Sequence, residues 1–160
     1  MEATSSKIKS LSEAIRQIKS WKAEGQKIVF TNGCFDLLHL GHVDYLEKAR
    51  SMGQKLVLGL NSDKSVSRFK GPARPIQDEK CRARVLAALQ FVDLVILFDD
   101  DTPLALISAV VPDVLVKGSD YLAENIVGAD VVKGAGGVVK TVDLVTGYST
   151  SKIIEKIKKN

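Results

Sequence analysis

The chain has 160 residues, 45% apolar and 26% charged, enough for one domain with a real core and no need of disulfides or metals. Two cysteines, Cys34 and Cys81, are too few for a disulfide framework. No apolar run approaches the roughly 18 residues of a membrane span, and the polar start lacks a secretory core, so a cytoplasmic protein with no membrane contact is expected. The net charge of +4 suits an anionic small molecule as readily as nucleic acid.

A first helix is predicted from Ser10, where Ser10 and Glu13 have capping-box spacing and Leu11, Ala14, Ile15, Ile18 and Trp21 recur at helical intervals until Gly25. Its apolar stripe is expected to be core, or else a surface for a second subunit. Short runs rich in Val, Ile and Leu follow at Lys27–Thr31, Lys55–Leu60, Leu94–Phe98, Asp113–Val116 and Val138–Val142. Near-continuous apolar runs of that length suit strands buried on both faces. Between and after them, Gly41–Met52, Asp78–Leu89, Pro103–Val111, Ile126–Lys133 and Thr150–Lys159 read as helices, with Asp78 and Ser149 as caps. Alternating strands and helices predict an α/β fold: a Rossmann-like, doubly wound, five-stranded parallel sheet with helices on both faces. One domain spans 1–160, its N-terminal helix (1–25) packing on it.

In such sheets the ligand lies beyond the carboxyl ends of the strands, so the loops there carry the chemistry. The first reads Thr31-Asn-Gly-Cys-Phe-Asp-Leu-Leu-His-Leu-Gly-His42 and holds both histidines of the chain, His39 and His42, around Gly41 at a helix start. Gly33 and Gly41 allow close backbone approach, and the helix start offers free N–H groups and a positive dipole end. Two imidazoles beside them can hydrogen-bond phosphate oxygens and stabilise charge in phosphoryl or nucleotidyl transfer. The duller alternative has the histidines capping a helix in solvent. A zinc site with Cys34 or Asp36 matches no common ligand spacing. No P-loop motif occurs, and Gly134-Ala-Gly-Gly137 precedes a strand, so it fails as a dinucleotide fingerprint.

The pattern G-x-F-D-x-x-H-x-G-H, filled by Gly33, Phe35, Asp36, His39, Gly41 and His42, resembles the signature of the HxGH nucleotidyltransferases related to cytidylyltransferases. The resemblance runs from about Lys27 to Ile157 and is drawn in particular to the D-glycero-D-manno-heptose 1-phosphate adenylyltransferases, with a stand-alone form without a kinase domain expected. Leu60-Asn-Ser-Asp63, Lys70-Gly71 with Arg74-Pro75, Arg82, Asp101-Thr-Pro103 and Lys117-Gly-Ser-Asp-Tyr121 support it. Gly147-Tyr-Ser-Thr-Ser151 resembles the I-S-T-T or C-S-T-T loop that contacts the nucleotide, with Ser151 where threonine is usual. Leu144 stands where glycerol-phosphate cytidylyltransferases carry arginine, which leans toward the heptose branch.

The resemblance implies that ATP and a heptose 1-phosphate give ADP-heptose and pyrophosphate, for bacterial surface polysaccharide such as lipopolysaccharide. Mg²⁺ would be carried by the ATP phosphates, with no protein metal cage. It implies His39, His42 and Lys70 as catalytic residues. The nucleotide would be bound by Gly33, Cys34, Phe35, Gly41, Lys117, Gly118, Asp120, Gly147, Ser149, Thr150 and Ser151. The sugar phosphate would be bound by Asp36, Asn61, Arg68, Arg74 and Arg82.

Elementary chemistry agrees, with plainer alternatives at each place. Arg68, Lys70 and Arg74 fall in a stretch with Gly71, Pro72 and Pro75, where a flexible basic loop can fold over phosphates or lie as a solvated charge cluster. Arg82 offers a planar fork for phosphate, or a surface ion pair. Asp120 suits ribose or base but equally a turn, and Asp36 suits sugar hydroxyls or a turn. Ser149 and Thr150 can cap a helix and bind phosphate together. Asp99-Asp-Asp101 is better read as strand exit and cap than as metal site, and Cys34 as bulk and backbone rather than nucleophile. A homodimer is the expected assembly, and nucleic acid is not an expected partner. The rival readings are a glycerol-3-phosphate-type cytidylyltransferase or another sugar-phosphate nucleotidyltransferase, and an ATP-binding module without turnover.

Overall fold

Strand identity follows from the apolar runs. In a computed structural model that describes residues 3–159, β1 (Ile28–Gly33), β2 (Lys55–Asn61), β3 (Leu94–Phe98), β4 (Val114–Gly118) and β5 (Val138–Val142) form one parallel sheet in the order β3-β2-β1-β4-β5. Met1, Glu2 and Asn160 lie outside the described residues. Successive strand residues point to opposite faces, and β1 to β4 are covered on both, whereas the edge strand β5 buries only Val142, contrary to the expectation of a strand buried on both faces. Val29, Leu56, Leu58 and Leu60 pack with Leu46, Ala49 and Leu86; Ile28, Phe30, Val57 and Ile96 pack with Ala14, Ile18, Ile107 and Val132.

The covering helices are α1 (Leu11–Ala23), α2 (Leu40–Arg50), α3 (Asp63–Lys70), α4 (Glu79–Ala87), α5 (Leu104–Val110), α6 (Ala129–Gly134) and α7 (Thr150–Lys159). The capping box of α1 is formed: the Ser10 side chain accepts from the Glu13 N–H, and Glu13 accepts from the Ser10 N–H at 3.0 Å. Ahead of α1, Ile8 makes a parallel bridge to Val95 and the Lys9 N–H donates to the Val95 carbonyl, blunting the edge of β3. The stripe of α1 is core, with Ala14 and Ile18 buried.

Several boundaries differ from the sequence expectation, among them the start of α6, at Ala129 instead of Ile126. Residues 63–70 form a helix, α3, capped by the Ser62 hydroxyl, so Lys70 is the last residue of a helix and not part of a flexible loop. The run Asp63-Lys-Ser-Val-Ser-Arg-Phe-Lys70 buries only Ser65 and Val66, too thin a stripe to show as periodicity. Helix α5 takes Pro103 as its N-cap, one residue later than a proline at the first helical position would require. Strands β1 and β4 each run two residues past their expected ends. Backbone pairing continues there although the side chains turn polar, with Asn32 opposite Gly59 and Lys117 opposite Thr141.

The sheet reverses its winding between β1 and β4. These strands pair only at Val29 with Val114 and Phe30 with Leu115, then part toward their carboxyl ends. That split is the topological switch point where open α/β sheets bind ligands.

Candidate active site

A cleft of about 510 Å³ opens over the split. Its floor is polar by construction. The Lys117 ammonium crosses from β4 and donates to Asn32 Oδ1 on β1 at 2.6 Å, and Tyr45 of α2 lies beneath, sharing a 2.7 Å hydrogen bond with the Thr31 hydroxyl and donating to the Val116 carbonyl at 3.1 Å. Burial holds the Tyr45 hydroxyl well above its ordinary pKa. Burial also pulls the Lys117 ammonium down to about 8, although Asp120 and the Cys34 thiol act the other way.

The loop after β1 turns tightly into α2. Phe35 sits in the left-handed region at φ 45°, a strained conformation for a bulky residue, and its ring occupies the place a Cβ on Gly33 would take, 2.8 Å away. The Phe35 ring tilts against His42 with centroids 5.3 Å apart, and His42 stacks on His39 at 3.8 Å and 24°. His39 holds the N-cap position of α2, yet its side chain makes no capping bond; its ring instead lies over Gly41, where a Cβ would stand 3.1 Å from Cε1 and Nδ1. Both Nδ1 atoms are buried without a protein partner. Burial depresses the pKa of His39, and burial, then the nearby His39 and Lys70, bring His42 down to about 4. The pair is therefore neutral at pH 7, two imidazoles with unpaired nitrogens that line the cleft.

The far wall comes from β4 and α7. A Cβ on Gly118 would collide with Asp120 Oδ1 and stand 3.2 Å from a Leu144 methyl, so carboxylate and apolar side chain converge on one bare α-carbon. Lys117 Nζ lies 5.7 Å from the Tyr121 ring centroid. The turn at Gly147, φ 92°, delivers Tyr148 to the rim and starts α7 at the cleft. There the Ser149 hydroxyl accepts from the Lys152 N–H at 3.1 Å, Thr150 donates to the Leu37 carbonyl at 3.2 Å, and Ser151 lines the opening. Capping and facing the cleft coexist at this helix start, as the sequence allowed.

The basic wall is more divided than the sequence suggested. Lys70 and Arg74 line the cleft, and Asn61 lies at its floor with its amide on Ser65 at 3.0 Å. Arg68 lies outside the cleft lining: it pairs with Asp101 at 2.9 Å and Asp99 at 3.5 Å, which places it on the rim between α3 and the loop after β3. Arg82 is a correction of a different kind. It is neither a surface ion pair nor a free fork, since its guanidinium is fully buried on Cys34 and Asn61 carbonyls (2.7 and 2.8 Å), the Gln77 carbonyl (3.0 Å) and Asp63 (2.7 Å). Asp36 is likewise occupied: its side chain is 1% exposed and accepts from the Ile76 and Gln77 N–H groups and from Arg74 Nε at 2.7 Å. Burial alone would raise its pKa, but these donors outweigh it and hold the carboxyl below the usual range. Burial raises the Cys34 thiol, which suits a packing role.

The cleft also takes in residues that the sequence did not single out as ligand contacts. Asn32 and Tyr121 stand at strand ends or one turn beyond, Tyr45 within α2, and Phe69, Asp101 and Tyr148 at the rim. The extended strand ends and the helix ending at Lys70 are the signals that would have found most of them. Among the described residues, no cluster of three or more His, Cys, Asp or Glu side chains is placed to hold a metal ion, and no helix is long and apolar enough to cross a membrane.

Fold, split sheet and paired-histidine loop together define a Rossmann-like domain of the nucleotidyltransferase type. Residues 30–156 match the model of the cytidylyltransferase-like family, and the chain belongs to that family. It is 56% identical over 155 residues to the bifunctional protein HldE of Methylobacillus flagellatus and 59% identical over 153 residues to that of Magnetococcus marinus, matching 97% and 96% of this chain. It spans about a third of the length of those relatives, 32% and 31%. Among solved structures it is similar to a lipopolysaccharide core biosynthesis protein from Thermoplasma volcanium, with TM-score 0.62 and 32% identity over 78% of this chain and 100% of that one. A pantoate–β-alanine ligase from Francisella tularensis shares the fold alone, with TM-score 0.54 and 17% identity over 91% of this chain and 76% of that one.

Proposed function

We propose that this domain transfers the adenylyl group of ATP to D-glycero-D-manno-heptose 1-phosphate. A phosphate oxygen of the sugar attacks the α-phosphorus in line; the new P–O bond forms as the bond to the β-phosphate bridge breaks, and pyrophosphate leaves. The acceptor is already an anion at neutral pH, so positioning and charge stabilisation suffice, with no covalent intermediate. The observation that carries this reading is the stacked, neutral His39–His42 pair at the start of α2, facing a cleft flanked by Lys70 and Lys117. In this assignment the imidazoles and the α2 N-terminus hold the triphosphate, Lys70 and Lys117 balance its charge, and Gly118, Asp120 and the start of α7 receive the nucleoside. Membership of the cytidylyltransferase-like family and the likeness to a lipopolysaccharide core biosynthesis protein support a sugar-phosphate acceptor.

Mg²⁺ is proposed to ride on the ATP phosphates, where it would supply charge neutralisation; the donor set fits at most a minor share of its shell, with Asp120 an exposed carboxylate in the cleft wall and Asp101 another at the rim. A cytoplasmic homodimer completes the proposal, and size in solution decides the assembly.

The test is pyrophosphate release with ATP, CTP and GTP, each crossed against heptose 1-phosphate anomers, glycerol 3-phosphate and hexose 1-phosphates in Mg²⁺. Turnover confined to ATP and a heptose 1-phosphate is expected. Turnover with CTP and glycerol 3-phosphate would move the domain to the cytidylyltransferase reading, against which Leu144 stands. Bound ATP with no release from any pair would leave a binding module.

A further inference from the structure

Asp36 is among the residues lining the cleft and Arg82 is not, yet the hydrogen-bonding groups of both are taken up by protein partners. The Asp36 carboxylate has room for about four hydrogen bonds, and the Ile76 N–H (2.8 and 2.9 Å to its two oxygens), the Gln77 N–H (2.9 Å) and Arg74 Nε (2.7 Å) fill it. Arg82 is held by four acceptors from three stretches of chain: Cys34; Asn61 with Asp63; and Gln77. Gln77 is gripped twice, its N–H by Asp36 and its carbonyl by Arg82. The loop after β1, which carries the histidines, and the 74–77 segment are thus joined by two buried charged groups placed on either side of the strained Phe35.

What this joint presents is Arg74. Its Nε is committed to Asp36, its side chain is 15% exposed and lines the cleft, and its Nη2 is buried with no protein partner. A guanidinium nitrogen left dry and unpaired is costly unless a ligand completes it. A carboxylate locked on Nε turns the remaining edge of the fork in a fixed direction, the arrangement suited to a phosphate.

We infer that Asp36 and Arg82 are not ligands of the sugar but positioning residues, which fix Arg74, the candidate for the acceptor phosphate that the resemblance already implied, relative to the histidine loop. The inference rests on the adenylyltransferase reading for the identity of the acceptor, and on the geometry alone for the anion site. It makes Asp36 act through Arg74, which a double-mutant cycle can read.

The experiment titrates inorganic phosphate and, separately, heptose 1-phosphate by calorimetry into the full chain, with a non-hydrolysable ATP analogue saturating the triphosphate site. The variants are Arg74→Met, Asp36→Asn, their combination, and Arg82→Lys, all checked for native thermal unfolding. Arg74→Met and Asp36→Asn are each expected to weaken phosphate binding roughly 10- to 100-fold, the loss of one charge-assisted hydrogen bond. Affinity for the ATP analogue alone stays within about twofold, and the double variant is no weaker than the weaker single. Arg82→Lys keeps the charge but not the fork, and is expected to raise the acceptor KM more than the ATP KM. Losses that multiply in the double variant would make Asp36 a direct ligand and overturn the inference. So would parallel loss of ATP affinity, the mark of a merely structural role, or unchanged phosphate binding. Phosphate binding that requires Arg74 without pyrophosphate release from heptose 1-phosphate would keep the anion site and discard the acceptor's identity. Turnover that Arg74→Met leaves intact would do the reverse.

Discussion

Replacing Lys117 with methionine should make the protein more stable and less active at once. The ammonium is largely buried, and that burial lowers its pKa from 10.5 to about 8. The difference corresponds to about 3 kcal/mol of cost for keeping the charge in the folded state at neutral pH. Methionine fills a similar volume and removes that cost. It also removes the 2.6 Å bond to Asn32 and the contact with the Tyr121 ring, together about 1–2 kcal/mol. The net expectation is a gain of about 1–2 kcal/mol at pH 7, or about 2–8 °C in Tm for a domain of this size. The sign with pH is fixed by the depressed pKa. Between pH 8 and 10.5 the unfolded chain binds the proton that the folded chain has lost, so wild-type stability rises relative to the variant and the gap closes. Urea unfolding of both proteins at pH 7 and at pH 10.5 measures this, and pyrophosphate release should fall by roughly 10²-fold in the variant. A variant less stable than wild type at pH 7, or a gap indifferent to pH, would refute the reasoning.

His42→Ala is expected to lower kcat by roughly 10²–10³, the order for one charge-stabilising donor; a loss below tenfold with native unfolding would remove it from the reaction. The two imidazoles give two NMR signals, and burial places the His42 midpoint near 4 and holds the His39 midpoint below its ordinary value; a His42 midpoint near 6.5 would contradict the burial argument. Gly41→Ala puts a methyl 3.1 Å from the His39 ring while favouring the helix by up to about 1 kcal/mol. Tm should hold or rise as kcat drops at least about tenfold, and an unchanged kcat would show that the ring has other room.

How far the sequence spoke depends on which physical signal each residue carries. The buried strands announced themselves because both faces of the sheet are covered, and the capping box of α1 because its partners are three residues apart. The histidine loop was legible because His39, Gly41 and His42 lie within one turn of helix, so their convergence needs no tertiary information. Helix α3 was hidden because Val66 is the single apolar residue it buries. The partners of Asp36 and Arg82 were hidden for a related reason. Sequence shows that a charge exists, but whether it meets substrate or protein depends on distant carbonyls and N–H groups, at 61 and at 74–77, that bear no side-chain signature. Family likeness shares this limit, because a residue kept for positioning and one kept for contact leave the same letter.

Burial keeps the histidines of the site neutral, and at His42 the neighbouring charges add to it. Lys70 already acts on His42 electrostatically, and Lys117 stands across the split in the sheet. A charged imidazole pair stacked at 3.8 Å would add like-charge repulsion to a half-buried site before any anion arrives. Neutral rings avoid it while still offering N–H donors, and the starts of α2 and α7 add oriented dipoles that carry no net charge. A triphosphate entering such a cleft finds donors already aimed and two ammonium groups at opposite sides, so its binding requires little rearrangement of the protein. Its own charge then favours protonation of the nearby imidazoles. On the proposed reaction, that places the strongest electrostatic stabilisation where negative charge accumulates on the leaving pyrophosphate. Transition-state complementarity requires this, and a permanently charged histidine pair would supply it less selectively.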